Sequence, residues 1–401
     1  MFVAIMGYGT VGTGVADLLK LNESTIAKRN SGEEIKVKRI LDIRKFPGDR
    51  FEHLITDRFE DIENDGEISL VVETMGGLNP AYDFVSRCLK AGKSVVTSNK
   101  ELVAQKGYEL LCLARENGVN FLFEASTGGG IPALRPIYRC LADNEIVKVA
   151  GILNGTTNFI LTKMIDEGSS FEDALAIAQK LGYAEANPSA DVDGLDALRK
   201  ICILCALCFG SHVYPASVKA QGIRGITPAD VEYAGKLGCV IKLIASAEKT
   251  ESDKIAVTVS PAFVKCGTQI SVCSDVFNII TVTGNAVGEV AFYGPGAGKM
   301  PTASAVVADV MDIAKSGGRD ISPVWTDEIP GNIITGDDFV CRRIVRVKAG
   351  GNVMSLFEGS QPVEPAAGET AFVTAPMSFT ELSAKLSAAG SELISAIRIF
   401  E

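Results

Sequence analysis

Two lysines and a set of carboxylates carry the most legible chemistry in this sequence. Lys200 closes the stretch Gly182-Tyr183-Ala184-Glu185-Ala186-Asn187-Pro188-Ser189-Ala190-Asp191-Val192-Asp193-Gly194-Leu195-Asp196-Ala197-Leu198-Arg199-Lys200. Asp196 and Lys200 stand at i and i+4 and so share one helix face. Directly after them runs the apolar segment 201–209. Acids and a lysine pressed against a core are costly unless they pair or hold a ligand. Glu185 and Asp191 approach from the preceding loop. Such a cluster suits a small zwitterion, with carboxylates for its ammonium and cations for its carboxylate or hydroxyl. A structural salt-bridge network is the other reading of the same residues. Lys100 ends Thr97-Ser98-Asn99-Lys100, right after an apolar strand, at the carboxyl end where ligands bind in parallel sheets. On local sequence alone a surface lysine at a helix start is the lesser alternative. A lysine whose pKa is lowered by burial or a neighbouring cation can carry the proton in hydride chemistry on an alcohol. The chain has only two histidines, His53 and His212. A His-ligated metal or a Ser-His-Asp triad is therefore not expected.

A second chemical motif opens the chain. Residues 2–6 read as a short buried strand, Gly7-Tyr8-Gly9-Thr10-Val11-Gly12 follows, and Val11, Val15, Leu18 and Leu19 then recur at helical spacing. Glycine clusters are common in turns, but strand, glycine turn and helix in this order is the context a dinucleotide site requires. Gly7 allows the sharp turn, Gly9 lets a pyrophosphate approach the backbone, and Gly12 lets helix and strand pack closely; the free N–H groups and helix dipole attract phosphate. Asp42, at the end of the second strand, is placed to accept ribose hydroxyls and favours NAD. Arg44 and Lys45 come right after it and suit a 2′-phosphate. The gap from Gly12 to Asp42 exceeds the usual ~20 residues, so an insertion is assumed and the cofactor is written NAD(P).

The elements that must position these groups follow from the pattern. Strands at 35–43, 69–73, 94–97 and 120–124 alternate with helices at 81–91 and 101–117, which implies parallel crossovers and a doubly wound, Rossmann-type α/β sheet. The stretch 22–34 is polar and carries no assigned element. After Gly128-Gly129-Gly130 the pattern changes. A strand at 146–153, helices at 157–167, 171–181 and 192–209, a helix starting at Thr227-Pro228, and strands at 255–259, 277–283 and 288–292 describe an α+β domain. Residues 294–298 form a glycine-rich turn before a long helix at 302–316, and 327–338 is loop-like. The tail has strands at 343–347, 371–374 and 396–400 and a helix at 379–389. The divisions are 1–130 for the dinucleotide, with helix 302–316 packing back on it, 131–300 for substrate and dimerisation, and 339–401 as a small α/β module.

Composition narrows the class. With 401 residues the chain is long enough for several domains and needs no disulfide or zinc staple. Its 39 Lys+Arg against 49 Asp+Glu leave net charge −10 and no basic surplus for nucleic acid. No apolar run approaches the ~20 residues of a membrane span, and the first residues lack a signal-peptide pattern, so the cytoplasm is the expected location. Cys202, Cys205 and Cys208 recur every third residue inside 201–209, where small apolar side chains fill a buried helix; with no further cysteine cluster to complete a site, they read as core.

Taken together, Gly7–Gly12, Thr97–Lys100, Asn154-Gly155-Thr156-Thr157-Asn158, the 182–200 stretch and 294–302 resemble homoserine dehydrogenase over about residues 1–320. The resemblance implies NAD(P)-dependent interconversion of L-homoserine and L-aspartate 4-semialdehyde in threonine and methionine biosynthesis. It implies that Glu185 and Asp196 bind homoserine, that Asp191 positions substrate or water, that Lys200 donates the proton, and that Lys100 is a second catalytic lysine near the nicotinamide. Thr10, Val11, Thr74, Thr97 and Gly298 match cofactor-contact positions. A monovalent cation, often sodium, is implied on the backbone carbonyls of Glu124, Thr127, Gly129 and Ile131, and a homodimer or homotetramer through the second domain's sheet. Two features depart from the family pattern. Asn187 stands where an Asp is common, which removes one charge from the pocket margin. The tail resembles a divergent amino-acid-sensing ACT module but lacks its Asp-x-Pro-Gly start; Lys348-Ala349-Gly350-Gly351-Asn352 stands about there instead. Another two-domain lysine-dependent oxidoreductase and a non-catalytic nucleotide sensor are the rival expectations.

Overall fold

The structure is a computed structural model that describes residues 1–349 and 353–401. Gly350–Asn352, part of the segment where the tail departs from the ACT pattern, lie outside the described residues. Six parallel strands form the first sheet: β1 (Phe2–Met6), β2 (Lys36–Leu41), β3 (Ile55–Thr56), β4 (Ile68–Glu73), β5 (Ser94–Thr97) and β6 (Phe121–Leu122), in the order β3-β2-β1-β4-β5-β6. The reversal of strand order at β1–β4 opens a crevice at the carboxyl ends of these strands. β1, β4 and β5 are nearly continuous apolar runs because helices cover both faces. Leu102, Val103 and Leu110 of helix Lys100–Glu116 cover one face. Val15 and Leu19 of helix Thr10–Leu21 cover the other, together with Val306 and Val310 of helix Lys299–Lys315, which returns from far along the chain.

The second sheet is mixed. β7 (Ile146–Ile152), β8 (Cys239–Lys249), β9 (Ile255–Lys265), β10 (Phe277–Gly284) and β11 (Gly288–Pro295) run antiparallel in the order β11-β10-β7-β8-β9. Ile241, Leu243 and Ala245 of β8 face helices Gly155–Glu167 and Leu195–Phe209, while Ile244 faces a smaller cluster behind. Cys202 and Cys205 fill the interior of the second of these helices as free thiols, and burial pushes both well above the usual thiol range.

The tail strands do not stand apart from this sheet. β12 (Ile333–Thr335) pairs in parallel with the first part of one edge of β9. β13 (Arg343–Lys348), β14 (Gln361–Val363), β15 (Glu369–Val373) and β16 (Leu393–Phe400) extend it further, with β16 parallel to the last part of the same edge and the order running β9-β16-β13-β15-β14. Leu382 and Leu386 of helix Phe379–Ala388 pack on Val345, Val347 and Phe372.

Several elements differ from the sequence expectation. Helix Glu23–Arg29 lies in the polar 22–34 stretch and buries only Ile26, too little for an apolar stripe. The strand expected at 120–124 stops at Leu122, because Glu124–Ser126 winds into a short 3₁₀ turn. The helix expected over 192–209 is broken: Ser189–Val192 is a single turn, Gly194 takes φ +82°, and the long helix begins at Leu195. β8 and β12 were not expected at all.

Candidate active site

The glycine turn comes first. Gly7 takes φ +93°, and a Cβ at Gly12 would collide with the Gly7 carbonyl. Glycine is required at both by the close packing of turn and helix. A Cβ at Gly9 would meet nothing nearer than an Arg44 nitrogen at 3.9 Å. Gly9 is also the N-cap of helix Thr10–Leu21 and offers no side chain to it, so the first N–H groups stay available to an anion. The Thr74 hydroxyl donates to the Gly7 carbonyl at 2.8 Å and ties the ends of β1 and β4 together.

Asp42 and Arg44, which suggest opposite cofactors when read singly, are one bonded unit. Asp42 accepts from Arg44 Nε at 2.9 Å, from Arg44 Nη2 at 2.8 Å and from the Tyr8 N–H at 2.7 Å. The Arg44 hydrogen bond holds the carboxyl down at about 2 against the effect of burial. The guanidinium is 59% exposed and lies over the Phe46 ring. Asp42 is thus pre-occupied, and the outward face of the unit is cationic.

Thr97 is fully buried, and its hydroxyl donates to the Glu73 carboxylate and accepts the Asn99 N–H at 2.9 Å. Asn99 caps helix Lys100–Glu116 by accepting from the Leu102 N–H at 3.1 Å. Thr97 therefore steadies the residue that precedes Lys100.

The second domain answers from the opposite wall. Asp196 is buried in the first turn of Leu195–Phe209. It accepts from Lys200 Nζ at 2.9 Å, Lys100 Nζ at 2.7 Å and Asn154 Nδ2 at 2.8 Å. The same Asn154 nitrogen donates to Asp191 at 2.7 Å, while Asn154 Oδ1 caps helix Gly155–Glu167 through the Thr157 N–H. Lys200 Nζ also donates to the Leu153 carbonyl at 2.7 Å, which leaves one of its three donors unspent.

Burial works against the charge on Asp196, but the two lysine charges and the hydrogen bonds from Lys100 and Asn154 outweigh it and keep the group ionised. Burial pushes Lys200 down, and the charge of Lys100 adds to this; Asp196 opposes the shift without cancelling it. Burial also lowers Lys100, yet Asp196 and Asp191 outweigh it, and the group ends above the ordinary lysine value. Burial raises Asp191, helped by the charge of Asp196. The two lysines are thus set apart: one holds its proton firmly, and the other is prepared to release it.

These groups line one cavity of about 530 Å³ between the domains, whose wall includes Thr10, Val11, Lys100, Thr127, Gly129, Thr156, Tyr183, Asp191, Asp196, Lys200 and Gly298. The volume suits a small ligand beside part of a larger one. The 124–131 turn closes its floor. Glu124 Oε1 accepts from the Ala133 and Leu134 N–H groups at 2.7 and 2.8 Å, and Oε2 from Arg135 N–H at 2.8 Å. The carboxylate is spent on the backbone, so only carbonyls remain to face a cation there. The Thr127 hydroxyl is buried in the same turn without a partner. Among the described residues, no group of three His, Cys, Asp or Glu is arranged to hold a metal.

Not every candidate is in the wall. Glu185 is exposed, on the segment between helices, and lies off the cavity lining. Asn187 uses its side chain to accept the Ser189 N–H at 3.3 Å, at the start of the single turn that presents Asp191. Asn154 and the Leu153 carbonyl are the groups the sequence reading left without a role. An Asn followed by Gly-Thr-Thr at a strand-to-helix junction is an N-cap signal, and it would have drawn attention to Asn154.

Comparison with known proteins supplies the class. A family model described as homoserine dehydrogenase matches residues 132–311, and one described as the homoserine dehydrogenase NAD-binding domain matches residues 7–124. The homoserine dehydrogenase of Bacillus subtilis is 42% identical over 317 residues, which is 78% of this chain and 73% of that protein. The crystal structure of a homoserine dehydrogenase from Thiobacillus denitrificans superposes with a TM-score of 0.92 at 32% identity, covering 100% of this chain and 98% of the other. A hyperthermophilic archaeal homoserine dehydrogenase solved in complex with NADPH superposes with a TM-score of 0.65 at 27% identity, covering 78% and 97%. The parallel sheet with its open helix N-terminus, the lysine-bearing cavity and these matches lead to one conclusion: this chain belongs to the homoserine dehydrogenase family and is an NAD(P)-dependent oxidoreductase.

Proposed function

We propose that the cavity between the domains is where L-homoserine and L-aspartate 4-semialdehyde are interconverted, with Lys200 as the proton carrier. One observation carries this reading. Lys100, from the first domain, and Lys200, from the second, meet on the single carboxylate of Asp196 in a cavity that also reaches Thr10 and Val11 of the glycine turn. Two cations are drawn to one buried anion, while Asp191, the other carboxylate in the wall, is hydrogen-bonded to Asn154 rather than to either lysine. That is poor design for stability and good design for holding a developing alkoxide.

The dinucleotide would be held by Gly7, Gly9, Thr10, Val11 and Gly12, with Gly298 on the far wall and Thr74 and Thr97 as supports behind it. The Asp42–Arg44 pair would meet the adenosine ribose. When bound, the nicotinamide supplies or accepts the hydride. Lys200 gives its proton to the carbonyl oxygen in reduction and recovers it in oxidation. Its lowered pKa and unspent donor suit it to both. Lys100 keeps its charge, fixes Asp196 and holds the oxygen end of the substrate. Asp191 faces the cavity half-buried, where it binds the substrate ammonium or orients water. Glu185 reaches the same ammonium only when its exposed segment folds inward. A monovalent cation such as sodium would sit on the carbonyls of Glu124, Thr127, Gly129 and Ile131, where it supplies a fixed positive charge to the turn.

The finer organisation is proposed on the same footing. Residues 1–130 bind the dinucleotide and 131–300 the substrate, with dimer or tetramer contacts through the second sheet. Residues 339–401 are a divergent ACT-like module: the order β16-β13-β15-β14 with a helix between β15 and β16 is that of a βαββαβ unit, and the place of its first helix holds the short turn Val353–Leu356. No helix among the described residues is long and apolar enough to cross a membrane, and the cytoplasm is the proposed location. The test is a spectrophotometric assay with homoserine and either NAD or NADP. Turnover with at least one, lost in Lys200→Ala, is expected. No absorbance change with either cofactor would overturn the substrate assignment.

A further inference from the structure

A second cavity, of about 460 Å³, lies where the tail joins the second sheet, and its lining shares no residue with the cavity above. It opens at a fork in the sheet. Ile255–Val257 of β9 pair with β12, and Ala262–Val264 pair with β16; between these two partners the strand edge meets only a single bridge, where Ala220 lies beside Val259 and the Gln221 N–H donates to the Val259 carbonyl at 2.8 Å, and Thr258, Val259 and Ser260 line the cavity there.

Among the described residues, two arginines on its wall form no ion pair with a carboxylate, although Asp337 lines the same cavity. Arg343 and Arg398 are register partners across β13 and β16, and they are only 6% and 7% exposed. Arg398 donates to Ser260 Oγ at 2.8 Å, Ser246 Oγ at 3.3 Å and the Ile244 carbonyl at 2.8 Å. Arg343 donates to the carbonyls of Met377, Cys341 and Phe339 at 2.5, 3.3 and 3.0 Å. Every one of these acceptors is neutral. The bordering carboxylates are already committed: Asp337 to Lys219 at 2.8 Å, and Glu248 to Lys148 at 3.6 Å. Burial lowers both guanidinium pKa values, that of Arg398 to about 10. Elsewhere in the chain a buried arginine is given its anions, as Arg346 is by Asp230 and Glu369. A buried cation held only by neutral acceptors is expensive, and two such residues line this one cavity.

We propose that this fork binds a small organic anion, a carboxylate or a phosphate ester, whose head group is held by Arg343 and Arg398. Planar guanidiniums match the oxygens of either head group. Phe339, Phe379 and Ile394 on the same wall would cover a short apolar body.

The test uses the full chain saturated with NADPH, so that the glycine turn is filled. Inorganic phosphate and butyrate are titrated separately against chloride at fixed ionic strength, and the midpoint of thermal unfolding is followed. At least one probe is expected to raise the midpoint saturably. A response to phosphate alone identifies a phosphate ester, and a response to butyrate alone a carboxylate. Arg398→Gln should weaken the response at least tenfold. Ala220→Trp, which enlarges a lining side chain and leaves both arginines in place, should do the same if the Arg398 variant fails to fold. Neither variant should change kcat or KM for homoserine by more than twofold. No saturable response in the wild type, or one that Ala220→Trp leaves intact, overturns the proposal.

Discussion

Lys200 and Arg346 are both buried cations beside the second sheet, and they are treated in opposite ways. Arg346 lies between two anions, with Asp230 at 2.7 Å and Glu369 at 2.7 and 3.0 Å. Those carboxylates are themselves bound: Asp230 by Ser395 at 2.8 Å and by the backbone and hydroxyl of Thr227, and Glu369 by Tyr233 at 3.1 Å. Burial would lower Arg346, but these partners outweigh it and leave the group above its ordinary value. Lys200 shares one anion with a second cation, keeps a donor unspent and falls below its ordinary value. A network that satisfies every atom holds a fold together, whereas one left short of an anion at a cavity wall is set up to interact with a substrate.

The largest expected effect is at Lys200. Lys200→Ala should lower kcat by roughly 10²–10⁴, the usual range for a general acid–base group, while NADPH binding followed by fluorescence stays within twofold. Loss of cofactor binding in parallel would make the residue structural and erase the contrast with Arg346. Arg346→Ala should do the reverse. Removing one partner of a buried ion cluster costs about 3–5 kcal/mol, because two carboxylates are then buried without a cation. Urea unfolding should show that loss, with kcat and KM nearly unchanged in the protein that remains folded.

The contrast sharpens in the pH dependence. In the proposed mechanism aldehyde reduction needs Lys200 protonated, so its rate should fall as pH rises through the Lys200 pKa, which burial holds below that of a free lysine. Asp196 raises this pKa and Lys100 lowers it. Asp196→Asn should therefore move the basic limb of kcat/KM to lower pH, and Lys100→Met should move it to higher pH. Both variants lose rate, so the informative quantity is the opposite sign of the two displacements. Displacement in the same direction would mean that the limb reports some other group.

Much of this was legible in the sequence because it is local. The glycine turn, β1, β4, β5 and the Asp196–Lys200 face are each encoded within a few residues. What was missed depends on partners far away in the chain. β8 alternates core residues with Lys242 and Ser246, and its short apolar run reads as helix or strand until β7 and β9 flank it. β12 has three residues and exists only because β9 offers an edge. The bridge by Asn154 to Asp191 and Asp196 spans separations of 37 and 42 residues, and no spacing rule reaches that far. Gly194 was visible as a glycine, but its positive φ, which breaks the helix and aims Asp196 inward, belongs to the folded chain. Asp42 and Arg44 were both recognised as cofactor candidates; that they answer to each other first is a matter of side-chain geometry.

The smallest effect tests how far saturation extends around Arg346. Thr227 is the N-cap of helix Pro228–Lys236. Its hydroxyl accepts the Asp230 N–H at 3.3 Å and donates to Asp230 Oδ2 at 2.7 Å, while the Thr227 N–H donates to the same oxygen at 2.9 Å. Thr227→Ala removes the hydroxyl and leaves the backbone bond. Loss of such a cap costs about 1 kcal/mol. If Asp230 matters chiefly as the counter-ion of Arg346, the loss should shrink when it is measured in an Arg346→Ala background, because the cap then holds a carboxylate whose cation has gone. A double-mutant cycle by urea unfolding reads that coupling directly. Strict additivity would mean that capping box and ion cluster are independent devices that merely share a residue, and the saturated network would have to be drawn smaller.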